Sequence, residues 1–144
     1  MNAFVLDTDT LVLFQEGNEL VCDRVLSHPM RELAISVITV EEQLSGWYTL
    51  LRRSKDDEQL ARTYQRLADT VTMLSRFRIL SFTLPAIDEF QHLKSQKLGV
   101  KHMDLRIAAI TLVQSATLVT RNTVDFQHIP GLRIEDWSMP QEIS

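Results

Sequence analysis

Five short apolar runs, none long enough to make a helix by itself, set the frame of this chain. Ala3–Leu6, Leu33–Val37, Phe77–Phe82, Thr117–Thr120 and Gly131–Ile134 are each four to six residues long and carry β-branched or aromatic side chains. Segments of that length and composition are strand material. The stretches between them repeat at helical spacing. Residues 9–15 begin a short helix that ends near Gly17. Leu20, Val21, Val25 and Leu26 place a helix over 18–27, stopped before Pro29. Leu60, Tyr64, Leu67, Val71 and Leu74 place a longer one over 58–76. Thr39-Val40-Glu41-Glu42 matches the Thr-x-x-Glu helix start, so a helix is expected from Thr39 to about Arg53. It is separated from the 58–76 helix by the polar break at 54–57, and the two would form a protruding hairpin. Thr83 or Leu84 leads into a further helix to about Lys97, with Pro85 tolerated in its first turn and Gly99 closing it. His102–Gln114 reads as a helix apolar around much of its circumference. Strands alternating with helices imply βαβ units. The expectation is an α/β fold in three layers: a central, mostly parallel sheet of about five strands, flanked by helices.

The chain's 144 residues suit one domain, expected over 1–137, with 138–144 as a tail. A single cysteine, Cys22, excludes an intrachain disulfide. The first residues lack the basic stretch and apolar core of a secretory leader, and no apolar run approaches the roughly 18 residues needed to span a bilayer. A cytoplasmic protein without a membrane partner is therefore expected. The formal net charge of −4 argues against a protein that coats nucleic acid indiscriminately. It is compatible with an acidic site that holds cations.

Four acids fall at strand ends or at helix starts reached from them: Asp7, Glu42, Asp104 and Asp125. Each has an ordinary structural explanation. Asp7 can cap the helix over 9–15. Glu42, third in its expected helix, can bond back to Thr39. Asp104 suits the dipole of a helix start, and Asn122 and Asp125 suit turns. Together they share one edge of a doubly wound sheet, which is where such folds bind ligands. Several carboxylates gathered there would raise one another's pKa, and hard divalent cations relieve that cost. Mg²⁺ takes few carboxylates and keeps its waters. A pair of such ions about 4 Å apart can activate a water and stabilise a leaving oxygen. No Gly-rich phosphate loop and no Gly-x-Ser-x-Gly is present, and the four histidines show no ligand spacing. Asp7-Thr8-Asp9-Thr10 also resembles the Asp-x-Asp motif of haloacid-dehalogenase-type phosphatases. That family needs a downstream Lys and paired acids after a later strand, where Arg121, Asn122 and a lone Asp125 stand.

Val5-Leu6-Asp7-Thr8-Asp9, Ile35–Gly46, Asp104–Ala109 and Leu118–Phe126, in that order and spacing, resemble the PIN domain. The likeness is greatest to the VapC-type toxins of toxin–antitoxin pairs, and Ile129–Leu132 with Glu135-Asp136-Trp137 resembles the family's usual ending. The resemblance implies a PIN-like fold and an endoribonuclease that cleaves RNA, such as tRNA, with Mg²⁺ or Mn²⁺ and a metal-activated water. It assigns the four acids to catalysis. Asp7 and Asp104 would be direct metal ligands, and Glu42, which precedes Gly46 in the family's Glu-x-x-x-Gly pattern, is selected over Glu41. Thr8 and Asn122 match the family's polar site residues, and Asp9 stands where Asn is common. The implied partners are an antitoxin, which blocks the site with an Arg or an amphipathic segment, and a second copy of the chain. Trp47, Tyr48, Arg52, Arg53, Arg62 and Arg66 on the hairpin are either a solvated amphipathic surface or a clamp for antitoxin or RNA phosphates, to which Arg is suited. A non-catalytic PIN-like module that binds RNA or protein is the alternative function.

Overall fold

A computed structural model describes residues 3–141; residues 142–144 of the expected tail lie outside the described residues. Five parallel strands form one sheet: β1 Phe4–Leu6, β2 Leu33–Ser36, β3 Arg78–Leu80, β4 Thr117–Val119 and β5 Arg133–Glu135. Their order is β3-β2-β1-β4-β5, and every pairing is parallel. Helices α1 Thr8–Gln15, α2 Glu19–Leu26, α3 Val37–Arg52, α4 Asp57–Leu74, α5 Leu84–Ser95, α6 His102–Val113 and α7 Thr123–Phe126 supply the crossovers, with a 3-10 turn at Met30–Glu32.

The central strand is the most apolar because both its faces are covered. Val5 pairs with Ala34 and Leu118 in register, and these three face a core completed by Leu105, Ala108 and Ala109 of α6 and Phe90 and Leu93 of α5. Side chains alternate along a strand, so Phe4 and Leu6 face the other way. They meet Leu11, Val21, Val25, Leu74 and Trp137. Full burial of one such side chain is worth roughly 1.5–3 kcal/mol. α6 lies on the sheet with six buried residues, which accounts for its broadly apolar circumference.

Most helix ends follow local chemistry. Asp7, Asn18, Asp56 and Thr83 each accept a backbone N–H from the first turn of the following helix. α3 departs from the expected start. Its cap is Ser36, whose hydroxyl accepts from the Thr39 amide at 3.2 Å, so the helix begins at Val37. Ser36 is fully buried at the end of β2 and reads in sequence as a strand residue. Glu42 is therefore not in the first turn and does not bond back to Thr39. α5 ends at Ser95, two residues short of the expected Lys97, which already has a left-handed φ of 52°. Asn122 and Asp125 belong to a one-turn helix, α7, where turns were expected.

β1 to β3 build the sheet in one direction, and β4 returns to the far side of β1. The carboxyl ends of β1 and β4 thus flank the point where strand order reverses, the usual ligand crevice of an open parallel sheet.

Candidate active site

Asp7 follows β1 directly. Its backbone N–H donates to the Val119 carbonyl at 3.0 Å, extending the pairing with β4 by one rung. Its Oδ1 accepts the Thr10 amide at 2.9 Å, which caps α1. The carboxyl is almost completely buried. Burial raises its pKa; the Thr120 hydroxyl and the Thr10 amide oppose the rise, and the charge of Asp9 adds to it.

Glu42 projects from the second turn of α3. A line of hydroxyls holds it. The Thr8 hydroxyl donates to Glu42 Oε1 at 3.0 Å. A hydroxyl has one proton to give, so Thr39, whose Oγ1 lies 3.0 Å from that of Thr8, donates to Thr8. Ser36 donates to Thr39 over a longer 3.5 Å. Partial burial pushes the Glu42 pKa up, the Thr8 bond lowers it, and the charges of Asp9, Asp7 and Glu41 raise it further.

Asp104 sits in the first turn of α6, half-buried. Its pKa is raised from the usual 3.8 to about 6, first by burial and then by the charges of Asp7 and Glu42; Lys101 opposes the rise and Asp9 adds to it. The structure thus brings Asp7, Glu42 and Asp104 within mutual electrostatic reach. Asp9 is exposed, yet its charge raises all three. Asp125 is held differently. Its Oδ2 accepts from Asn122 Nδ2 at 2.9 Å, and its amide donates to Asn122 Oδ1 at 3.3 Å. Thr120 orients that loop by accepting the Asn122 amide at 3.0 Å.

Sequence reasoning missed the buried hydroxyls of Ser36, Thr39 and Thr120 as parts of this site. The one available signal is position, since each lies within three residues of a strand end. Among the described residues, no three carboxylate, imidazole or thiol groups stand close enough to hold one ion together. Mg²⁺ needs only one or two carboxylates with water completing its shell. An all-oxygen group of mutually repelling acids fits that demand.

Of the four acids, Glu42 lines two depressions. A groove of about 950 Å³ runs between α1 and the α3–α4 hairpin, lined by Thr8, Glu42, Gly46, Trp47, Leu50 and Arg66 among others. A smaller one of about 370 Å³ lies on the other flank of α3, between Glu41, Glu42 and Met103. Gly46 borders both. Its backbone is ordinary helix and an added Cβ would meet nothing within 4 Å, so packing does not require the glycine. Of the hairpin residues, Trp47 ties α3 to α4 by donating its indole N–H to Thr70 at 2.8 Å. Arg66 lines the groove, whereas Tyr48, Arg52, Arg53 and Arg62 are exposed beyond it.

A small all-parallel sheet with helices on both faces and a helical hairpin beside its reversal point is a PIN-like fold. No family model matches the chain. Ribonuclease VapC2 of Rickettsia felis is 32% identical over 109 residues, covering 73% of this chain and 74% of that protein. DNA-bound VapBC from Salmonella typhimurium superposes with a TM-score of 0.77 at 27% identity, covering 95% of this chain and 99% of that one. A toxin–antitoxin complex from Klebsiella pneumoniae superposes at 0.72 and 26% identity, covering 94% and 98%. The chain belongs to the VapC ribonuclease family.

Proposed function

We propose that this chain is the toxin of a toxin–antitoxin pair, a divalent-metal-dependent endoribonuclease that hydrolyses RNA phosphodiester bonds. The observation that carries the reading is the grouping of Asp7, Glu42 and Asp104, all with raised pKa, at the carboxyl edge of the sheet. Three acids kept near one another without a basic partner in salt-bridge contact make a cation site rather than a stabilising network. In this reading Asp7 and Asp104 hold Mg²⁺ or Mn²⁺. Glu42, steadied by Thr8, orients water on the phosphate, and Asp125, steadied by Asn122, does so from the β4 side. A divalent ion bound there supplies a Lewis acid for the phosphate and lowers the pKa of water. Asp9 adds negative charge at the mouth of the site.

The partner is a small antitoxin, as in the toxin–antitoxin complex the chain resembles. The groove between α1 and the hairpin suits it, because its lining is mainly apolar and one end reaches Glu42. A cytoplasmic location and a homodimer complete the proposal, the latter on family resemblance alone. Among the described residues, no helix is long and apolar enough to cross a membrane.

The test is cleavage of RNA by purified protein with Mg²⁺ or Mn²⁺. Asp104→Asn keeps the shape of the side chain and removes its charge. It should lower the cleavage rate at least roughly 100-fold while the fold survives. Undiminished cleavage in that variant would falsify the assignment.

A further inference from the structure

One charged surface has no part in the proposed site. From Phe90 to Met103 the chain has Lys94, Lys97, Lys101, His92 and His102 and no acid, although its formal net charge is −4. Three of its four lysines are here. Folding concentrates them further. The α5 residue Phe90 is buried, and three basic side chains meet its ring. The Arg106 guanidinium lies 5.2 Å from the ring centroid, Lys94 Nζ lies 6.0 Å from it, and His102 meets it edge-on at 6.1 Å. The ring thereby fixes basic groups from two helices around one point. Among the described residues, Lys94, Lys97, Lys101 and Arg106 have no carboxylate within salt-bridge distance; the ion pairs there are Arg24–Glu135 and His28–Glu32. Arg106 Nε is buried without a partner, and its Nη1 reaches only the Met103 sulfur, at 3.4 Å.

This surface is continuous with the site. Met103 lines the smaller depression together with Glu42, Arg106 touches Met103, and Lys101 immediately precedes the helix whose first turn carries Asp104. We infer that the α5–α6 corner, formed by Lys94, Lys97, Lys101, His102 and Arg106, is the track on which the phosphate backbone of single-stranded RNA approaches the acids. Exposed lysines give sequence-independent phosphate contacts, and the acids by themselves would repel the strand. An anionic strand lying there leaves the hairpin groove free, so substrate and antitoxin would reach Glu42 from opposite flanks of α3. The inference rests on the ribonuclease reading for the identity of the polyanion.

The test removes charge at the far end of the track, away from the acids. Lys94→Gln with Lys97→Asn is suited to it, because Asn tolerates the left-handed φ of residue 97. The control, Arg31→Gln with Arg76→Gln, removes two exposed charges that precede the amino ends of β2 and β3, whereas the acids lie at the carboxyl ends of the strands. Binding of a mixed-sequence single-stranded RNA of about 20 nucleotides is measured in EDTA across a salt series, and cleavage of the same RNA is measured with Mn²⁺. The slope of log affinity against log salt should fall in magnitude by about 1.4, about 0.7 per phosphate contact, in the lysine variant and stay unchanged in the control. KM should rise roughly 3–10-fold with kcat within about two-fold. Unchanged slope and KM in a variant that folds would overturn the track. So would intact RNA binding with lost affinity for the antitoxin, which would make this a protein-docking surface. If the parent chain cleaves no RNA with either metal yet the slope still drops, the ribonuclease reading fails and the track stands.

Discussion

Asp7 has two roles at once, since one oxygen caps α1 while the buried carboxyl is held at a cost. Substitution separates them. Asp7→Asn keeps an acceptor for the Thr10 amide and removes the charge, whereas Asp7→Ala loses a cap worth typically about 1 kcal/mol. Melts should therefore show the Asn variant at least as stable as the parent and above the Ala variant, with cleavage lost in both. Titration gives a second handle. The folded pKa of Asp104, about 6, lies above its unfolded value, so the native state binds more protons than the unfolded chain between roughly pH 4 and 6. This group's contribution to metal-free stability therefore falls as pH rises through that window. Melts from pH 4.5 to 7.5 should show the trend, weakened in Asp104→Asn, and added Mg²⁺ should stabilise at pH 7 far more than at pH 4.5. The Thr8 hydroxyl lowers the Glu42 pKa, so Thr8→Val should move the acid limb of the cleavage profile to higher pH.

Among the elements, α3 matters most, because its start decides what Glu42 can do. Were Thr39 the cap, Glu42 would be spent on the backbone of the first turn. Ser36 takes that role, which frees Thr39 to support Thr8 and lets Glu42 face Asp7 and Asp104. Ser36→Ala should cost about 1 kcal/mol in urea unfolding and also lower cleavage, since the hydroxyl line loses its origin. A purely structural cap would show the first effect without the second. The reason this was not legible is physical. A buried Ser beside Ile35 and Val37 continues an apolar run, and which of two nearby hydroxyls caps a helix depends on where the strand ends in the sheet. By contrast, Asp56 and Thr83 lie next to clear breaks, and their helices were legible to within a residue or two.

For the whole molecule, the arrangement divides the surroundings of Glu42 into two flanks. The groove on the hairpin side is lined mainly by apolar atoms and the other side leads to the lysine-rich corner. Leu50 is exposed in the groove, two turns along α3 from Glu42 and roughly 12 Å away by helical rise. Leu50→Glu should leave the fold and RNA cleavage in place. Titration calorimetry with the antitoxin should show affinity at least about ten-fold weaker, because a charge would be buried in an apolar contact. Unchanged antitoxin affinity would move the docking site elsewhere.

The alternation of strands and helices and the placement of Asp7 after the first strand followed from residue order. Short β-branched runs and three-to-four spacings are local properties that hold whatever the partners. The association of Asp7, Glu42 and Asp104 did not follow in this way. They are separated by up to 97 residues, and only the return of β4 to the far side of β1 creates the edge they share. Tertiary structure also decided what Asp9 and Asp125 do. Asp9 points to solvent yet charges the whole group, while Asp125 is bound to Asn122 on a one-turn helix. Charge acts through space at a range that sequence distance does not measure. Residue order therefore named the acids, and the fold determined which of them repel one another.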